Sequence, residues 1–494
     1  MKKALTQCAL GVLGAATLFG AGARPSAEVK ITKGAPVVRV NSTNQSYDAA
    51  RPWAKKPHYT RRGTGAIVTG GDVLVTAELV ADHTYAELEK PATAAKCPAT
   101  VVAVDYEANL ALLRPAEAGF LEDLGTFKLD GSVRVGDSAE ILQVENNGEI
   151  VSTPAKITTI SVSPYPLESL PLLSFRLSSP LQSRDSSFVL PAVRGGHLLG
   201  LLMRYDARSQ TAEVVPGQII ESFLARAAGN GNPGVPRAGF SFASTRDPQL
   251  RTFLGLQSPG GVLVTEVLPD SAAEAAGLRR GDVILSLGGK PIDQDGLYAD
   301  PQFGKILFTH LIASFRQGDE PLDVTIHRKE GPATAAITPR PADPSTQASP
   351  PYHFDQAPRY FILGGLVFQE LSRSFLREWG NNWRKTAPQR LVYLDAFQSE
   401  LPPDRGKIVF LSAVLPSDET MGYENLENLV VTTVNGKSIK SLADLAAAAA
   451  APLDGFHKIE FDEDPGTIFL DAGKVEEQKP ALARDYGIPS MERL

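Results

Sequence analysis

The sequence predicts a mainly β protein with some α-helix, divided into three pieces. Short apolar runs broken by turn residues fill the first piece at a spacing typical of a barrel or sandwich; they are residues 65–68, 73–76, 101–104, 110–113, 139–142 and 198–202. Two stretches rich in Gly, Pro and small polar residues, 228–234 and 339–351, resist regular structure and separate the pieces. The second and third pieces repeat one another, which predicts two related modules.

Length and composition fit a protein of several domains. A chain of 494 residues corresponds to about three domains at the usual ~100 to 200 residues each. Hydrophobic residues make up 43% and charged residues 21%, which excludes a wholly disordered chain and a polytopic membrane protein. The net charge of −7 argues against a general nucleic-acid-binding role.

Residues 1–27 have the pattern of a secretory signal peptide, with cleavage after Ala23 or Ala27. Two lysines precede an apolar run over residues 9–21, and small residues follow it. This run is short for a membrane span. We therefore expect an exported protein, periplasmic or extracellular, without a stable membrane span; a retained amino-terminal anchor is the alternative.

The repeat in the second and third pieces is marked by two pairs of motifs. VLP at 267–269 is followed 22 positions later by GKPI at 289–292, and VLP at 414–416 is followed 22 positions later by GKSI at 436–439. The offset between the two pairs is 147 residues. Such a fixed offset indicates two copies of one supersecondary unit.

Local signals predict the elements of the first copy. A short helix over 271–276 is closed by Gly277, and a strand over 282–287 ends in a Gly288-Gly289 turn. A longer helix over 304–316 is predicted because apolar residues recur there at helical spacing; they are Ile306, Leu307, Leu311 and Ile312.

Motifs in all three pieces resemble the Deg/HtrA family of serine proteases. The second piece resembles the PDZ domain fused to these proteases, through GGVLV at 260–264, VLPDSAA at 267–273, AGL at 276–278, GDVI at 281–284 and GKPI at 289–292. The third resembles the C-terminal PDZ-like module of plant-type Deg proteases, through GYEN at 422–425, VNGKSI at 434–439 and DYGIPS at 485–490.

The resemblance implies a trypsin-like double β-barrel followed by two PDZ-like domains. The implied boundaries are a signal peptide at 1–27, a trypsin-like domain at 28–228, the first PDZ domain at 229–340, a linker at 341–351 and the C-terminal PDZ-like domain at 352–494.

The family's catalytic triad is degenerate in this sequence. Glu78, in TAEL at 76–79, stands where the family has its general-base histidine, and Asn109, in NLA at 109–111, replaces the aspartate that orients this histidine. Only Ser186 matches the nucleophile, and its flanks in RDSSFV at 184–189 lack the family's glycines.

These substitutions predict an inactive pseudo-protease. A serine hydroxyl is a poor nucleophile unless an oriented base removes its proton, and a carboxylate is a weaker base than imidazole. Without the glycines near Ser186, backbone N–H groups cannot readily turn toward an oxyanion. The alternative is an active serine endopeptidase of periplasmic protein quality control with a rearranged base such as His83. A third possibility is a structural subunit that assembles with an active relative.

Metal and phosphate motifs are absent, so no cofactor and no metal are expected.

The second piece keeps the features that peptide capture needs. PDZ domains bind an extended C-terminal segment as an added strand, and backbone N–H groups receive its carboxylate. The family's Gly-hydrophobic loop is matched by RAGFSF at 237–242. The expected site residues are Arg237 near the carboxylate, Gly239, Phe240, Ser241 and Phe242, with Leu307 and Leu311 of the predicted helix as the far wall.

The predicted function is therefore an adaptor, chaperone or regulator that binds peptides or unfolded proteins with apolar C-termini. The resemblance also implies a homo-oligomer or an assembly with a related protease. In the third piece the closest loop is GGLV at 364–367, and Trp379, Trp383 and Tyr393 lie either at an interface or in a local core.

Overall fold

The computed structural model describes residues 30–32, 34–167, 170–182, 189–229, 234–316, 318–343, 347–351, 354–380, 382–402 and 406–494. The predicted signal peptide at 1–27 and Ser186 with its flanks therefore lie outside the described residues. No helix among the described residues is long and apolar enough to cross a membrane.

The amino-terminal half contains a first barrel of six antiparallel strands. After β1 (Lys30–Thr32), the chain forms β2 (Val37–Asn44), β3 (Tyr59–Ile67), β4 (Val73–Val75), β5 (His83–Glu89), β6 (Lys96–Asp105) and β7 (Leu110–Pro115), closed in the order β2-β3-β4-β7-β6-β5. The short helix α1 (Ala77–Val80) joins β4 to β5. Gly65 lets β4 approach β3 closely, because a Cβ there would lie 2.3 Å from Val73 Cγ1.

A second barrel follows. Its strands are β8 (Ser138–Val144), β9 (Ile150–Pro164), β10 (Pro171–Ser178), β11 (Leu190–Arg194), β12 (His197–Asp206) and β13 (Thr211–Pro216). Together with β1 they form a sheet in the order β1-β9-β10-β13-β12-β11-β8. A further pairing of β8 with β9 closes the six strands β8–β13 into a ring. Helix α2 (Gly217–Ala227) leads out of this barrel.

The first PDZ domain is built on a sheet in the order β15-β16-β17-β21-β22. Its elements are β14 (Pro236–Arg237), β15 (Phe240–Ser244), α3 (Pro248–Leu254), β16 (Val262–Val267), α4 (Ala272–Ala275), β17 (Val283–Leu287), β18 (Lys290–Pro291), β19 (Leu297–Asp300), β20 (Gly304–Leu307), α5 (Thr309–Ala313), β21 (Leu322–Arg328), β22 (Gly331–Ile337) and β23 (Arg340–Pro341). Strand β23 pairs with β14 and so crosses the boundary predicted between residues 340 and 341.

The helix predicted over 304–316 is wrong in its first half. Residues Gly304–Leu307 form β20, which pairs with β19 in a hairpin, and only Thr309–Ala313 are α-helical. Ile306 is buried while Lys305 before it is exposed, a strand alternation that the apolar spacing alone could not distinguish from a helix.

The C-terminal PDZ domain has its own sheet, in the order β30-β29-β27-β26-β25-β24-β31. Its elements are β24 (Tyr360–Leu363), β25 (Leu366–Glu370), α6 (Arg373–Leu376), α7 (Trp383–Thr386), α8 (Gln389–Ala396), β26 (Val409–Val414), β27 (Leu429–Val434), β28 (Lys437–Ser438), α9 (Leu442–Ala449), β29 (Phe456–Phe461), β30 (Thr467–Asp471), α10 (Ala472–Asp485) and β31 (Glu492–Arg493). Strand β26 matches β16 at the offset of 147 residues found in the sequence.

The predicted fold class, a double barrel followed by two PDZ-like domains with mainly β structure, is confirmed. One continuous apolar core joins the second barrel to the first PDZ domain; its members include Phe175, Phe223, Ala238 and Phe308. The C-terminal domain has separate cores, one of which contains Trp53 from the first barrel.

Candidate functional site

The structure brings two of the three degenerate triad positions together. Glu78 lies in α1, at the end of the first barrel, and Asn109 is the last residue of the turn before β7. The backbone N–H of Glu78 donates a hydrogen bond to Asn109 Oδ1 at 3.0 Å. Asn109 is fully buried and holds a positive φ of 53°, a conformation that asparagine tolerates better than most residues. Ser186, the third triad position, lies outside the described residues.

Only the oxygen of the Asn109 carboxamide has a hydrogen-bond partner among the described residues. Its Nδ2 is buried and has no hydrogen-bond partner among the residues that the structure describes. Leaving a buried donor unpaired costs about 1 to 3 kcal/mol. An aspartate here would present only acceptor atoms, which is what orienting a protonated imidazole requires. The amide is therefore poorly suited to hold a base in place.

The histidine offered as a rearranged base, His83, has other contacts, and so does His197. His83 opens β5, with Nδ1 3.0 Å from Val80 O and 3.9 Å from Asp355 Oδ1 of the C-terminal domain. His197 is exposed beside the Gly195-Gly196 turn, with Nδ1 3.1 Å from Gly195 O. His197 is thus the first residue of β12, directly after the turn.

The C-terminal PDZ domain contacts the loop that follows α1. Asp82 and Asp355, both with positive φ, accept each other's backbone N–H groups: Asp82 N to Asp355 Oδ1 at 2.8 Å, and Asp355 N to Asp82 Oδ1 at 2.9 Å. The Tyr106 hydroxyl donates to Asp355 Oδ2, and the Tyr106 ring lies 4.4 Å from that of Phe354. The C-terminal domain is thus fixed directly beside the Glu78 position.

This pair of carboxylates gives a pH-dependent prediction. Burial raises the pKa of Asp82, the charge of Asp355 adds to the rise, and the backbone N–H of Asp355 partly offsets it. The folded state then binds this proton more tightly than the unfolded state, so stability decreases as pH rises from the ordinary carboxyl range through the raised pKa of Asp82.

We expect Asp82→Asn to stabilise the protein by about 0.5 kcal/mol at pH 7.5, because the amide keeps an oxygen for the Asp355 N–H and removes one charge. Thermal unfolding at pH 7.5 and pH 4 should show a gain that shrinks at the lower pH. Asp82→Ala, which lacks the acceptor, should not stabilise. A loss of stability in Asp82→Asn at pH 7.5 would contradict this account.

The predicted peptide groove lies along the edge of the first PDZ sheet. Strand β15 pairs with β16 on one side and has no strand partner on the other among the described residues. Gly239, at the entrance to β15, has a φ of 82°, and its carbonyl accepts from Leu268 N at 2.9 Å. An extended segment could therefore add to this edge.

Aromatic rings line the groove. The Phe308 ring is fully buried and lies 6.1 Å from the Phe240 ring and 4.8 Å from the Phe242 ring. Phe240 and Phe242 remain partly exposed, as do Leu307 and Leu311. Phe308, which the sequence offered as a third member of the far wall, is the centre of this cluster, whereas Leu307 lies in β20 and not in a helix. On the other face of β15, Ser241 donates to Glu266 at 3.1 Å.

Arg237 is paired with a residue of another domain. Its guanidinium forms an ion pair with Glu107 of the first barrel. No sequence signal could have found this pair, since 130 residues separate its members.

In the C-terminal domain, the strand that follows the Gly364-Gly365 loop has no free edge among the described residues. Strand β25, which follows Gly364-Gly365, is flanked by β26 on one side and by β24 on the other, and β24 is in turn paired with β31. Trp383 is buried and belongs to a local core with Phe375, while Trp379 packs against that core. Tyr393 is 45% exposed.

Comparisons with known proteins agree with this architecture. The PDZ domain profile matches residues 349–492, and a second PDZ domain profile matches residues 263–299. Protease Do-like 2, chloroplastic, of Arabidopsis thaliana is 27% identical over 462 residues, covering 92% of this chain and 74% of that protein. Protease Do-like 4, mitochondrial, of the same plant is 24% identical over 458 residues, covering 92% and 84%.

Among solved structures, HtrA-type protease AlgW with decapeptide is 17% identical, with a TM-score of 0.47, and the match covers 63% of this chain and 97% of that one. The double barrel and the two PDZ domains define a trypsin-like serine protease homologue with PDZ domains. Over most of its length the chain is similar to proteases of the Deg/HtrA family.

Proposed function

We propose that this protein holds polypeptide segments without cutting them, as a catalytically inactive member of its family. The observation that carries the proposal is the open edge of β15, bordered by Gly239 and by the partly exposed rings of Phe240 and Phe242. The bound segment is a peptide or an unfolded protein with an apolar C-terminus, and the role is that of an adaptor, chaperone or regulator.

The loss of catalysis is supported by the triad positions. Glu78 replaces an imidazole, and the Asn109 amide is tied to the Glu78 backbone with its own N–H group unpartnered in the described part of the chain. Neither residue supplies the oriented base that a serine nucleophile needs.

We further propose that the protein is exported, on the strength of the signal pattern at 1–27, and that it works as a homo-oligomer or together with a related protease. The family resemblance is the support for assembly. Size measurement with and without an active relative tests it: a larger species only in the mixture indicates a mixed assembly.

A pair of peptides tests carboxylate capture. A labelled peptide with an apolar, free C-terminus should bind the full chain, and the same peptide with an amidated C-terminus should bind about tenfold more weakly or not at all, because the loop's N–H groups lose a charged acceptor. Fluorescence anisotropy measures both affinities. Equal affinity for the two peptides would refute carboxylate capture.

A further inference from the structure

The turn between β6 and β7 contacts several parts of the molecule. Its successive side chains pair with α2, with the C-terminal domain, with the first PDZ domain and with the Glu78 backbone; they are Asp105, Tyr106, Glu107 and Asn109. Glu107 contacts the segment that leads into the peptide-binding loop of the first PDZ domain.

Glu107 binds this segment at two points. Its Oε2 accepts the backbone N–H of Val235 at 2.6 Å, and its Oε1 accepts from the Arg237 guanidinium. Both side chains are largely buried, with 20% of Glu107 and 30% of Arg237 exposed. Charge-assisted hydrogen bonds of this kind are stronger and more directional than neutral ones.

These anchors lie immediately before the loop. Arg237 is two residues from Gly239, and Ala238 between them is buried, with its carbonyl accepting from Ala273 N at 2.8 Å. The short β14–β23 pairing holds the segment from the other side. A displacement of the backbone at Val235 or Arg237 would therefore also displace Gly239, because the residues between them are held in place.

We propose that Glu107 is a positioning residue for peptide capture: it fixes the carboxylate-binding loop of the first PDZ domain from the trypsin-like barrel. Binding of a free C-terminal carboxylate then depends on a residue outside the PDZ domain. This inference rests on the proposed function, because it concerns the same groove.

A competing arrangement predicts the opposite sign. If Arg237 contacted the peptide carboxylate directly, Glu107 would compete for the guanidinium, and neutralising Glu107 would strengthen peptide binding. If Glu107 positions the loop, neutralising it weakens binding, and neutralising Arg237 weakens binding by a similar factor for the same reason.

A double-mutant cycle on the full chain separates the two arrangements. The variants are Glu107→Gln, Arg237→Gln and the double variant, and the readout is the Kd of the labelled peptide with a free apolar C-terminus. We expect each single variant to bind about five- to tenfold more weakly, and the double variant to bind no more weakly than either single one. Glu117→Gln, an exposed residue of the same barrel, serves as the matched control and should bind like the unaltered chain.

Thermal unfolding of each variant shows whether the fold is intact. Unchanged or tighter binding in Glu107→Gln, with a normal melting temperature, would overturn the inference while leaving peptide capture standing. Failure of the unaltered chain to prefer the free over the amidated peptide would instead refute carboxylate capture, the part of the proposed function on which the inference rests.

Discussion

Replacing Gly239 with alanine should lower the affinity for a C-terminal peptide by about tenfold or more. The Gly239 φ of 82° lies in a region that costs a residue with a side chain about 1 to 2 kcal/mol. A Cβ at this position would also lie 2.3 Å from Ser271 Cβ, so the loop or the start of α4 must shift. Because the loop's N–H groups are proposed to receive the peptide carboxylate, the shift should disrupt carboxylate binding.

Two further variants isolate the cause. Gly277→Ala places an alanine at a similar φ of 76° with nothing within 4 Å of its Cβ, so it should retain peptide binding. Adding Ser271→Gly to Gly239→Ala removes the clashing atom, and glycine is tolerated at the helix N-cap that Ser271 occupies. Peptide affinity should recover in part in this double variant, because the clash is removed while the positive φ of residue 239 remains. Unchanged affinity in Gly239→Ala would show that peptides bind elsewhere.

The largest effect on stability is expected at Arg226. Its Nη2 donates to Asp105 Oδ2 at 2.8 Å, and Asp105 is 1% exposed in its side chain. Removing one partner of a buried ion pair typically costs about 3 to 5 kcal/mol, because the remaining charge is left uncompensated. Asp105 also accepts from Ala108 N, so the turn that carries Glu107 and Asn109 should loosen as well.

Calorimetry and amide hydrogen exchange measure the effect of Arg226→Ala. The melting temperature should fall by several degrees, and exchange should accelerate in β6 and β7. Arg114→Ala is the matched control: this arginine forms a two-point pair with Asp72 but is 61% exposed, so no resolvable change is expected. Equal melting temperatures for the two variants would show that the Arg226 pair does not stabilise the barrel.

Much of the fold could be predicted from local sequence patterns. The apolar runs of the first piece became barrel strands because each side chain's environment is set by alternation along its own strand. The repeat correctly placed β26 and β27 opposite β16 and β17, since the same strand pattern recurs at one offset. The hairpin of β19 and β20 was missed because the short segment Gly304–Leu307, with two apolar residues at its end, fits a strand and a helix equally well.

The candidate site could be predicted only where a motif carried it. Glu78 and Asn109 were found through family motifs, and the structure places them in contact. The Arg237–Glu107 pair and the contact between Asp82 and Asp355 join residues 130 and 273 positions apart, and no periodicity or local spacing reports such pairs. Both contacts arise because separate domains pack against one another in the folded chain.

The most direct test of the account is covalent labelling of the purified full chain with a fluorophosphonate probe, together with digestion of a denatured protein. If the protein holds polypeptides without cutting them, neither the unaltered chain nor Ser186→Ala should be labelled or should digest the client. Labelling and digestion by the unaltered chain that both disappear in Ser186→Ala would contradict it.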